Sequence, residues 1–123
     1  MKKYSALLLF VLLLSSCSGS KYKAGDIYSV DTGEEKFRVV KVLVVEPPYI
    51  HVRMYQNRFD KRPSKIDTKE LTIGDQNSEG GPGVGSIPLP LDNFKEWEPE
   101  LITNEKVTEE ELQGYKVWKE NSK

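Results

Sequence analysis

Polar and apolar positions fall into sharply different regimes along this chain. Residues 6–14 carry nine apolar side chains without interruption, and nothing as dense recurs downstream. Residues 36–46 follow a second pattern. Phe37, Val39, Val40, Val42, Leu43, Val44 and Val45 are strand formers placed on both faces, which predicts a central or bent strand covered on each side. Residues 49–56 alternate cleanly. Ile50, Val52 and Met54 point one way, and Tyr49, His51, Arg53 and Tyr55 point the other. Pro47-Pro48 separates the two runs and cannot donate to a ladder, so the pair predicts an antiparallel hairpin with the Tyr49–Tyr55 stripe facing outward.

Weaker patterns complete the expected domain. Residues 26–30 read as a short strand, with a turn at Asp31-Thr32-Gly33-Glu34. Residues 57–65 form a basic loop closed by Arg62-Pro63, and residues 66–73 a weaker strand with Leu71 and Ile73 in register. Residues 74–86 contain five glycines and predict a long flexible loop. Ile87, Leu89 and Leu91 alternate, but Pro88 and Pro90 confine that segment to a sheet edge. Asp92 opens a helical turn carrying Phe94 and Trp97, and Leu101-Ile102 returns as a strand. The last element is a helix over 108–120. Thr108 and Glu111 have capping-box spacing, and Leu112, Tyr115 and Trp118 make a narrow apolar stripe. Gly114 weakens it by about 1 kcal/mol against alanine. The sum is a mainly β fold, a small partly open barrel or sheet roll with one C-terminal helix.

The amino terminus changes the picture from fold to address. Lys2-Lys3, the apolar run 6–14 and the small residues after it make the three-part pattern of a cleaved, helical signal peptide. The run is shorter than the roughly 20 residues a spanning helix needs. Leu14-Ser15-Ser16-Cys17 resembles the lipobox of bacterial lipoproteins. The resemblance implies cleavage before Cys17, acylation of that cysteine and retention on a membrane surface. Ser18 in the following position resembles an outer-membrane sorting signal, which implies a periplasm-facing site at the cell envelope. Cys17 is the sole cysteine, so neither an intramolecular disulfide nor a thiolate metal site can form. The expected organisation is a signal peptide over 1–16, an acylated tether over 17–24, a small β domain over 25–107 and the helix over 108–120.

Composition then sharpens this division. Eleven of the 46 apolar residues lie in the first 16, leaving the mature chain about one third apolar. That suffices for one lean core and excludes coiled-coil, collagen-like and disulfide-scaffold classes. The formal net charge of −1 becomes −3 without Lys2 and Lys3. It is uneven, at +4 over 17–69 and −7 over 70–123.

No catalytic residue is assigned. His51 is the only histidine, and neither a Gly-x-Ser-x-Gly elbow nor a usable cysteine accompanies it, so it reads as a surface histidine. Asp75, Asn77, Glu79 and Gly80 partly match a calcium loop, but Ser86 stands where the bidentate glutamate belongs. The glycines at 80–85 lack the Gly-Lys-Ser/Thr ending of a phosphate loop. Glu98 and Glu100 could suggest glycosidase carboxylates, yet read as a solvated strand end, and Glu109–Glu111 as helix capping. No cofactor or metal is expected.

The candidate binding surface is Tyr49, His51, Arg53 and Tyr55 with the basic loop, Arg58 and Arg62 included. Its expected partner is a protein or an anionic envelope component, not nucleic acid. The Gly25-Asp26-Ile27-Tyr28 opening, the bent strand and the glycine loop resemble small barrels of the Src-homology-3 type. Gly25-Asp26 and Trp97-Glu98-Pro99 also resemble the start and close of uncharacterised small bacterial proteins. Some barrels of that look are immunity proteins against toxins, so the resemblance implies that role as an alternative to a general binding module. A structural accessory of an envelope assembly, docking through the glycine loop and helix, is a further expectation.

Overall fold

The computed structural model describes residues 21–78 and 80–122. The expected signal peptide, Cys17 and the first part of the tether lie outside the described residues. The strands are β1 (Asp26–Val30), β2 (Phe37–Glu46), β3 (Tyr49–Phe59), β4 (Val84–Pro90) and β5 (Glu100–Asn104). Two short helices complete the fold, α1 (Leu91–Glu96) and α2 (Gln113–Asn121). The strands form one antiparallel sheet in the order β4-β3-β2-β1-β5. The fold is mainly β and the sheet is open. It does not close into a barrel, and β4 and β5 remain its edges. Pro88 and Pro90 sit in β4, where they remove donors that a further strand would need.

The β2–β3 hairpin is the centre of the sheet, as its apolar density predicts. Its register shifts between Arg38 and Val40 and again between Val42 and Val44, and such bulges bend a sheet. Tyr28, Val40, Val42, Ile50, Val52 and Phe94 build a core on one face, under α1. Ile27, Val39 and Tyr55 build a smaller core on the other, covered by Phe59, Ile66, Leu71, Ile73 and Ile102. Burying both faces explains why β2 shows no alternation.

Four expectations are corrected. Residues 66–73 are not a strand. Asp67 accepts a hydrogen bond from the Lys69 N–H and caps a 3-10 turn at Thr68–Glu70, so only single backbone bonds such as Gln56 N–H to Thr72 O remain. The glycine loop ends earlier than expected, because β4 starts at Val84. The C-terminal helix starts at Gln113, not 108. Both capping-box bonds form, Thr108 N–H to Glu111 and Glu111 N–H to the Thr108 hydroxyl, but they close a turn before the helix. Tyr22, expected in the tether, lies in the larger core, edge-on to Tyr28 and Phe94 at 5.5 and 5.0 Å.

Candidate functional site

The stripe Tyr49, His51, Arg53 and Tyr55 does share one face of β3, but that face is not open. His51 is 0% exposed. The Tyr115 and Trp118 rings of α2 stand edge-on to its imidazole at 4.7 and 4.6 Å. Trp118 also meets Tyr49 at 5.8 Å. The reading of His51 as a surface histidine is therefore corrected: the helix stripe needs an apolar partner and finds it on this face. Tyr55 is buried as well, and burial pushes its hydroxyl pKa up to about 12. Of the four residues, Tyr49 alone is exposed, and Arg53 is half-buried.

The arginines of the expected basic surface are engaged internally. Arg58 donates to the carbonyls of Gly80 at 2.7 Å, Gly81 at 3.3 Å and Gln56 at 2.8 Å, which ties the glycine loop to the end of β3. Arg62 donates to the Ser29 carbonyl at 3.1 Å, the Ser29 hydroxyl at 3.0 Å and the Glu98 carbonyl at 3.0 Å. Its guanidinium lies over the Phe37 ring and 3.6 Å from Glu100. Arg53 reaches the Gly85 carbonyl at 3.4 Å. A guanidinium whose donors are spent on backbone carbonyls has little left for a polyanion.

What the fold brings together is a cleft of about 480 Å³ lined by Lys36, Gln56, Asn57, Arg58, Phe59 and Gly80. A second hollow of about 280 Å³ shares Lys36, Arg58 and Gly80 and adds Glu34 and Glu35. Arg38 pairs across the ladder with Arg58 and is buried beside them. Burial and the neighbouring Arg58 charge lower its pKa from the ordinary arginine value. It donates to the Tyr55 carbonyl at 2.9 Å and to Glu34 at 3.4 Å, while its Nε has no hydrogen-bond partner. Lys36 pairs with Asp60 at 3.3 Å. Three cations thus alternate with Glu34, Glu35 and Asp60, and the cleft is charge-mixed instead of basic. Sequence reasoning missed Lys36 and Gln56, because the glycine loop folds across β3 from more than twenty residues away.

The residues that carry the family resemblance serve the fold. The buried Asp26 carboxylate accepts from the Tyr28 hydroxyl at 2.9 Å, Asn104 Nδ2 at 2.9 Å and the Lys23 N–H at 3.0 Å. Trp97 offers its carbonyl to the Asp31 N–H at 2.9 Å. Among the described residues no group of histidine, cysteine and carboxylate side chains could hold a metal ion, and no helix is long and apolar enough to cross a membrane. No protein-family model, curated protein or solved structure matches the chain.

Proposed function

We propose that the protein is an acylated lipoprotein of the bacterial cell envelope, outer membrane and periplasm-facing, whose β domain is a non-enzymatic module binding a protein partner. The observation that carries this reading is the order of Lys2-Lys3, the apolar run 6–14 and Leu14-Ser15-Ser16-Cys17. The five antiparallel strands and bent hairpin support the resemblance to Src-homology-3-type domains in open form.

Burial of Tyr22 supports a membrane-proximal position. Only residues 18–21 separate Cys17 from the core, and five extended residues span about 17 Å. The chain enters at the start of β1, whereas the cleft flanks the far end, where Val30 pairs with Arg38. An anchored domain would therefore hold the cleft away from the bilayer. Its mixed charge suits a polar protein surface better than an anionic polymer, which needs uncompensated cations.

Cys17→Ser tests the anchor: it should abolish membrane retention and the acyl mass increment. Retention with unchanged mass would overturn it. A photo-crosslinker at Lys36 in the acylated protein should yield a discrete protein adduct in cells, and one at Lys95 on α1 should not. Equal labelling from both positions, or none from Lys36, would remove the cleft as the recognition surface. The exposed Glu105, Glu109 and Glu110 favour the immunity-type reading in second place. Adducts to a basic toxin from those positions would select it.

A further inference from the structure

We infer that α2 is an acid-released cover over the aromatic stripe of β3, with His51 as its trigger. The imidazole is wholly enclosed, yet neither Nδ1 nor Nε2 has a hydrogen-bond partner. A buried polar ring without partners is uncommon, because each lost hydrogen bond leaves a desolvation cost. The neutral ring tolerates this site by packing against Tyr115 and Trp118. The imidazolium does not, since it would carry two N–H donors with no acceptor at hydrogen-bond distance.

The charged groups around it do not compensate. From β2, the Glu46 carboxylate stands 3.8 Å from Nε2, but Lys119 and the Tyr115 hydroxyl of α2 already engage it. Lys119 itself disfavours a second cation there. β4 contributes no titratable side chain, with Pro88 opposite His51. On β3 the flanking groups are Tyr49 and Arg53. Beyond Arg53, Lys41 is already paired with Glu111 at 3.0 Å. A proton arriving at His51 is therefore best accommodated by letting water in, which means lifting the helix.

The helix is built to lift. None of its residues is fully buried, and nine residues are too few for a stable helix in isolation. It rests on the Tyr115–Trp118 stack over His51 and Tyr49, on the Glu46 pair and on Gly114 against Ser86. The two cores do not include it. Its release would uncover His51 and Tyr49 and leave the sheet intact. With one proton linked to release, the undocked fraction rises at most tenfold per pH unit.

The test starts from the unsubstituted protein. His51 is the sole histidine, so its Cε1–H resonance reports its protonation directly in the mature protein. Fluorine NMR of 5-fluorotryptophan protein reads Trp118 on the helix and Trp97 against the larger core separately. Between pH 8 and 5, the Trp118 signal should move with the same midpoint as His51, below 6.5, while Trp97 stays fixed. A Trp118 signal that does not move would overturn the inference. So would Trp97 moving with it, or a His51→Gln protein that keeps the transition.

Discussion

Arg62 and Lys41 are cations that the domain keeps for itself. Arg62 joins β1, the turn before β5 and the Phe37 ring through three carbonyl or hydroxyl contacts and an ion pair. Hydrogen bonds to charged groups contribute about 1.5–3 kcal/mol, so Arg62→Ala should lower stability by that amount in urea unfolding. A change below about 0.5 kcal/mol, the range of an unremarkable surface position, would show that the contacts hold nothing. Lys41 sits 3% exposed on β2, with Nζ 3.0 Å from the Lys106 carbonyl and from Glu111. Burial alone would raise the Glu111 pKa. The Thr108 N–H and the Lys41 ammonium outweigh it and hold the carboxyl below its ordinary value. Removing one partner of a buried pair costs about 3–5 kcal/mol where the charge left behind stays buried, and the Lys41 side chain is 4% exposed against 16% for Glu111. Glu111→Ala should therefore be far more destabilising than Lys41→Met, which leaves Glu111 free to reach solvent. Equal losses in thermal unfolding would contradict this asymmetry.

At the scale of elements, Gly114 sets two effects against each other. Alanine raises helix propensity by about 1 kcal/mol. A Cβ at this position, however, would stand 2.8 Å from the Ser86 Cβ of β4, closer than side chains approach. Gly114→Ala should thus release α2 from the sheet. The measurement is hydrogen exchange over 113–121, which should accelerate while β2 stays protected. The sequence made the hairpin legible because both β2 and β3 obey strand periodicity over many residues. The edge position of β4 was legible from two prolines. The segment 66–73 was not, since Leu71 and Ile73 have strand spacing but Asp67 captures the local backbone first. His51 misled for a related reason. Alternation says which side of a strand a residue faces, not whether another element later covers that side.

For the whole molecule, pH is the natural probe of this architecture. Burial lowers the His51 pKa from 6.5, so the unfolded chain takes up its proton first as pH falls. Stability should be full above about pH 6.5 and decline below it, with a second decline below about 4.5 as Glu111 protonates. Tyr55 has the opposite sign. Its raised pKa keeps it protonated in the fold, so stability should fall again as pH rises from 10 towards 12. Chemical unfolding across this range should trace a plateau between 6.5 and 10. A maximum near pH 5 would rule out the His51 contribution.

Burial of Tyr22 has one further consequence, for proteolysis. A protease acting before Lys21 would leave a body with its core complete. One acting two or three residues later would remove an aromatic ring from the larger core, where such a loss costs about 3–5 kcal/mol. A harmless cut and a destructive one are thus separated by a few peptide bonds, and a shortened form for laboratory work must keep Tyr22.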